Sequence, residues 1–203
     1  NKLLVLSGKG GVGKSTVATL LTLALALREQ QVALLDLDIC GPSVPRLMGV
    51  PSATITATQW GWMPVASPDV GDRAVMMSVQ FLLAQDDAAT IWRGPRKDAL
   101  IKQFLRDVFW SRRDFLVVDT PPGTSDEHLT VVTALSRALE GTSANNALNG
   151  ALIVTTSQSV SASTVRKEVR GAGWEVRQCN GMLLEVAQRP AIVLASRWFL
   201  REW

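Results

Sequence analysis

Gly8-Lys9-Gly10-Gly11-Val12-Gly13-Lys14-Ser15-Thr16 is the stretch whose reading decides the architecture. It satisfies the pattern G-x-x-x-x-G-K-[ST], a glycine-rich turn between a strand and a helix that wraps its backbone N–H groups around phosphate oxygens. Glycine is needed because a Cβ would obstruct the inward turn, and the helix that follows adds its positive N-terminal end. The flanks agree with the motif. Leu3-Leu4-Val5-Leu6-Ser7 is a short apolar run suited to a buried strand, and Ser15 to Gln30 reads as a helix. On this pattern Lys14 is expected to contact the β- and γ-phosphates, Ser15 to ligate magnesium and Thr16 to touch the α-phosphate. Gly8, Lys9, Gly10, Gly11, Val12 and Gly13 form the cradle.

Three further apolar runs end in small or acidic residues: Val32 to Asp36, Phe115 to Asp119 and Ala151 to Thr155. Continuous runs of this length suit strands covered on both faces. Helix-like stretches at Arg96 to Phe109 and Asp126 to Leu139 separate them. The alternation predicts an α/β fold, a doubly wound and mostly parallel sheet with ligands at the carboxyl ends of its strands. Gly49 to Val75, with Pro51, Pro64, Pro68, Gly61 and Gly71, reads as an irregular insertion packed by Trp60 and Trp62, and Glu140 to Asn149 as a loop. The character changes after Glu168. Gly171-Ala172-Gly173 stops the preceding helix, and a tail over 169–203 carries Trp174, Trp198, Trp203 and five arginines. Strands are expected there at Met182 to Val186 and Ala191 to Ala195.

Acidic residues at strand ends supply the remaining chemistry. Asp36-Leu37-Asp38 follows the second strand, with one carboxylate expected to point back to the sheet and the other out to the phosphate edge. Asp38 is the candidate for orienting the attacking water, and Asp36 for supporting magnesium or the loop. Asp119 closes an apolar run and is expected to bind magnesium through water. Thr120-Pro121-Pro122-Gly123-Thr124 then forms a stiff turn suited to sensing the γ-phosphate. Lys9 is not required by the general pattern, and its plain reading is a solvated charge.

The full string Lys9 to Thr16 resembles the deviant Walker A ATPases, among them MinD, ParA and nitrogenase iron protein. That resemblance implies ATP as ligand and a homodimer or heterodimer in which Lys9 reaches the nucleotide of the other subunit. Asp36 to Met48 (DLDICGPSVPRLM), Ile91 to Leu105 (IWRGPRKDALIKQFL) and Val117 to Leu129 (VVDTPPGTSDEHL) narrow it. They look like the Mrp/nucleotide-binding-protein branch, and are similar to the eukaryotic cytosolic iron-sulfur cluster assembly factors of the nucleotide-binding-protein 2 type. The resemblance covers Lys2 to about Glu168, read as a P-loop ATPase domain spanning 1–168. It implies a slow, partner-dependent ATPase that assembles a 4Fe-4S cluster with a related scaffold subunit and passes it to apo iron-sulfur proteins. The sequence also departs from the family. The C-P-x-C pair that binds the bridging cluster does not appear, and Cys179 stands alone as a weak candidate ligand, outweighed by a buried or incidental thiol. Cys40 reads as small-residue packing and His128 as a capping or packing residue. Arg93, Arg96, Lys97 and Lys102 read as a solvated or partner-docking helix face.

Composition narrows the classes further. A chain of 203 residues that is 47% hydrophobic can bury a sizeable core, and Val17 to Leu27 is too short for a membrane span of about 20 residues. Net charge is +3, with 16 basic against 15 acidic residues up to Glu168, which gives no electrostatic case for nucleic acid. Two cysteines without a C-x-x-C pair exclude a disulfide framework and point to a reducing, cytoplasmic setting. The chain opens one residue before an apolar strand, so a natural start further upstream is expected. Two other classes share the motif: a nucleotide-binding partner with a defective or truncated scaffold and no cluster, and a ParA/MinD-like positioning ATPase. The second lacks a terminal amphipathic basic helix to ride on membranes, so no membrane partner is expected.

Overall fold

The apolar runs of the sequence become neighbours in one sheet. The computed structural model describes residues 2–7, 10–38, 43–83, 94–122, 131, 150–155, 176–177 and 191–195. Its strands are β1 (Lys2–Leu6), β2 (Val32–Asp36), β3 (Thr56–Thr58), β4 (Gly61–Met63), β5 (Val65–Ser67), β6 (Gly71–Ser78), β7 (Phe115–Asp119), β8 (Gly150–Thr155), β9 (Val176–Arg177) and β10 (Ala191–Ala195). Its helices are α1 (Lys14–Leu27), α2 (Val44–Leu47), α3 (Val79–Leu83) and α4 (Gly94–Asp107). Eight strands form a sheet in the order β5-β6-β2-β7-β1-β8-β10-β9, and β3 pairs with β4 in a separate hairpin.

From β6 to β8 every pairing is parallel, while β5, β10 and β9 join antiparallel at the two sides. β2 is buried at all five positions, which explains why its sequence shows no polar alternation. α1 packs against β1, β2, β6 and β7. The loop between β1 and α1 therefore emerges at the carboxyl edge, with β7 on one side of β1 and β8 on the other. That is where a doubly wound sheet gathers its ligands.

The segment Gly49 to Val75 departs from the expectation of an irregular insertion. It contains the β3–β4 hairpin, β5 and most of β6, and β6 continues to Ser78 as an interior strand against β2. The strand is hard to see in the sequence because Gly71, Asp72 and Arg73 open it exposed, and only Ala74 to Ser78 enter the core. Pro64 and Pro68 fall between strands, where their missing N–H breaks no ladder. Trp60 is 70% exposed and does not pack the segment. Trp62 does, meeting the buried Phe104 of α4 edge-on with ring centroids 5.9 Å apart.

In the tail, the strand expected at Ala191 to Ala195 is β10, with Ile192 opposite Val154 of β8. The strand expected at Met182 to Val186 and the loop at Glu140 to Asn149 lie outside the described residues. So does the helix expected at Asp126 to Leu139, apart from Val131, which is helical and buried.

The hairpin is fastened to the end of α4 by backbone. Phe109 N–H donates to the Trp62 carbonyl at 2.8 Å, and Gly61 adopts φ +119 with its Cα against the Asp107 carbonyl. A Cβ there would collide with backbone as well as strain the dihedral. Gly61→Ala is expected to destabilise the fold by about 2 kcal/mol or more, measured as a lowered midpoint in urea unfolding. A midpoint equal to wild type would show that the hairpin is not docked this way.

Candidate functional site

Three strand ends and one helix start meet beneath the glycine-rich loop. Gly13 takes φ +91 as the N-cap of α1, and its carbonyl accepts the Val17 N–H at 3.0 Å. No side chain caps α1 and no acid lies in its first turn, so its positive end is left for an external anion. A cavity of about 460 Å³ opens there, a size suited to a small ligand. Gly10, Gly11, Gly13, Lys14, Ser15 and Thr16 form its loop side, Ser7 lies at the end of β1, Asp38 and Ser43 lie beyond β2, and Pro122 lies beyond β7. Val12 faces the other way, into the core.

Parallel register sets the charges. Asp36 and Asp119 are direct partners across β2 and β7, which brings two buried carboxyls side by side. Lys14, only 5% exposed, donates from Nζ to Asp119 Oδ1 at 2.6 Å and lies 3.9 Å from Asp38 Oδ2. Asp119 Oδ2 is buried and has no hydrogen-bond partner. Burial raises the Asp119 pKa, and the Lys14 ammonium works against that rise.

Asp36 spends both oxygens on the scaffold. Oδ1 accepts the Asp38 N–H at 3.0 Å, and Oδ2 accepts the Ser78 hydroxyl at 2.9 Å. It therefore braces the turn that carries Asp38 into the cavity. Burial and the neighbouring Asp119 push its pKa up to about 7, against the lowering effect of those two hydrogen bonds. Ser78 was not singled out in the sequence because the strand bearing it was not recognised. A small polar residue closing an apolar run, Val75-Met76-Met77-Ser78, is the signal that would have found it.

The turn after β7 is pinned at its base. Thr120 donates to the Val5 carbonyl from both its N–H, at 3.2 Å, and its hydroxyl, at 3.0 Å. Pro122 then reaches the cavity wall. The structure thus gathers Gly10, Gly11, Gly13, Lys14, Ser15, Thr16 and Asp38 around one space, with Asp119 buried behind Lys14 and Asp36 beside Asp119. Gly8, Lys9, Cys40, Gly123, Thr124, His128 and Cys179 lie outside the described residues. Among the described residues no group of three His, Cys, Asp or Glu side chains could hold a metal ion without other ligands.

A parallel sheet with this loop after β1 and acids on the next two strands defines a P-loop NTPase. The chain belongs to the family described as ParA: NUBPL iron-transfer P-loop NTPase, whose model matches residues 1–181. It is similar to a protein of Eremothecium gossypii named cytosolic Fe-S cluster assembly factor NBP35, with 52% identity over 83% of this chain and 48% of that protein. A Culex quinquefasciatus protein named cytosolic Fe-S cluster assembly factor NUBP2 homolog is 54% identical over 82% of this chain and 62% of its own length. The chain thus spans roughly half to three fifths of these relatives. Among solved structures, a nucleotide-binding protein of Archaeoglobus fulgidus in complex with ADP superposes with a TM-score of 0.67 at 36% identity, over 85% of this chain and 60% of that one. The Aquifex aeolicus MinC:MinD complex matches in fold alone, with a TM-score of 0.53 at 19% identity, over 85% of this chain and 62% of that one.

The raised carboxyl of Asp36 has a signed consequence for the nucleotide-free, metal-free protein. Folded Asp36 keeps its proton to about pH 7, whereas the unfolded chain loses it near 3.8. Its contribution to stability is therefore complete below the unfolded value and is lost as pH rises towards about 7. Asp36→Asn can still accept the Asp38 N–H and can bond Ser78 without charge. The variant is expected to gain stability relative to wild type between about pH 5 and about pH 8 in parallel thermal melts. A constant difference across that range would refute the shift.

Proposed function

We propose that this chain binds ATP with magnesium in the cavity beneath the loop and hydrolyses it slowly within a dimer. Its work is that of a scaffold and carrier in cytosolic 4Fe-4S cluster assembly. The observation that carries the nucleotide part is the Lys14 ammonium beside Asp119 and Asp38 at an uncapped helix start, with one oxygen of Asp119 left without a partner. The names of the similar cytosolic Fe-S cluster assembly factors and the ADP complex of the archaeal neighbour support the rest.

Each residue takes a role from its position. Loop amides and Lys14 bind the phosphates, with the ammonium exchanging Asp119 for β- and γ-oxygens. Asp119 Oδ2 and the Ser15 hydroxyl are hard oxygen donors that fit magnesium and would hold it, directly or through water. What such an ion supplies is neutralisation of charge between the β- and γ-phosphates. Asp38 orients the attacking water, held in place by Asp36 behind it. Hydrolysis forms a bond from the water oxygen to the γ-phosphorus and breaks the bridging P–O bond, giving ADP and inorganic phosphate. Lys9 of a second subunit completes the charge balance, which makes the isolated chain slow. The partners are a related scaffold subunit and the apo iron-sulfur proteins that receive the cluster.

A second reading, a nucleotide-binding partner that carries no cluster, is favoured by one observation. Cys40 and Cys179 are the only cysteines in the sequence, and no C-P-x-C pair is present. Anaerobic reconstitution with iron and sulfide separates the two: broad visible absorbance of a thiolate-bound cluster supports cargo binding, and its absence supports the second reading.

Mutation tests the nucleotide roles. Lys14→Ala is expected to lose calorimetric MgATP binding and, by stranding buried Asp119, to lower stability by about 3 kcal/mol. Adding Asp119→Asn restores stability without restoring binding. Lys9→Ala and Asp38→Asn are each expected to bind MgATP and hydrolyse it about 100-fold more slowly. Retained binding in Lys14→Ala, or lost binding in a folded Lys9→Ala, would defeat these assignments.

A further inference from the structure

Ser7 follows β1 by one residue and lies ahead of the motif. It is fully buried, its Oγ has no hydrogen-bond partner, and it lines the phosphate-side cavity. A hydroxyl shut away from solvent without a partner is unfavourable compared with a methyl group in the same place. Among the described residues Thr19 Oγ1 and Asp119 Oδ2 share this condition. Asp119 already has a metal-facing role, and Thr19 does not line the cavity.

Register places the hydroxyl where it is useful. Val5 is level with Asp119, and Asp119 is level with Asp36. Side chains two apart along a strand share a face, so Ser7 continues the row above these carboxyls towards the loop. The cavity that Ser7 lines is shared with Gly10, Gly11, Gly13 and Lys14 of the loop, residues that carry N–H groups and an ammonium. Backbone N–H groups and an ammonium are donors that suit an anionic ligand, and among the described residues Asp38 is the one carboxylate in the lining.

We infer that Ser7 is a phosphate-binding residue of this cavity, its Oγ–H donating to an oxygen of the bound polyphosphate. The inference rests on the nucleotide reading above and adds one donor to the ring formed by the loop and Lys14. Removing the hydroxyl costs the empty protein no bond, so its effect should appear only when ligand is present.

Calorimetric titration of MgADP and MgATP into wild type and Ser7→Ala, with thermal melts of both ligand-free proteins, tests this. The expected result is a Kd raised about 10-fold or more for the variant, with a ligand-free Tm equal to or above that of wild type. Unchanged affinity in a folded variant overturns the inference, as does a lowered ligand-free Tm, which would mark the hydroxyl as structural. Wild type that takes up neither nucleotide overturns the nucleotide reading itself, and this assignment with it.

Discussion

The buried contact between Lys14 and Asp119 is the constraint around which the site is organised. Taking an ammonium and a carboxylate out of water is costly, and a separation of 2.6 Å offsets that cost only because both groups are held rigidly. Lys14 is held by the first turn of α1, which Gly13 starts abruptly, and Asp119 by the end of a central strand with neighbours on both sides. The pair also sets a limit on neighbouring charge. Buried and beside Asp119, Asp36 cannot ionise easily even with Lys14 nearby, and it keeps its proton to about pH 7. Site charge, strand register and helix start are thus one problem with one solution.

The proposed function turns on exchanging the partner of Lys14. Lys14 neutralises a carboxylate here, and on the proposed function a triphosphate would offer the same ammonium a denser set of oxygens and leave Asp119 free for a cation. The uncapped start of α1 and the donor-rich wall favour the same substitution. Asp38 lies 3.9 Å from the Lys14 ammonium, placed by a turn that Asp36 and Ser78 brace from behind. Asp38 and Lys14 are thus held by separate anchors, one by the turn after β2 and the other by the first turn of α1.

The periphery serves this centre. β6 widens the parallel core and brings Ser78 to Asp36, and the β3–β4 hairpin closes over Phe104 through Trp62. β10 covers the side of β8 away from β1 with antiparallel backbone pairing. A sheet extended at both sides keeps β1, β2 and β7 interior, where a charged cluster can stay dry.

Local chemistry determined much of this protein within the sequence itself. Glycine spacing, an apolar run before it and a helix after it specify the loop, and acids closing two other runs specify which strand ends face the phosphate edge. Those signals are short-range, so reading them needs no knowledge of partners across the sheet. The strand β6 and the fate of Trp60 and Trp62 were not legible, because polar residues open that strand and prolines punctuate what precedes it. Only tertiary structure decided that Asp36 turns to Ser78 while Asp38 faces the cavity, that Asp119 is held by Lys14, and that Ser7 is buried without a partner. Each of these depends on the register between strands far apart in the chain, and register is set by packing across the whole sheet.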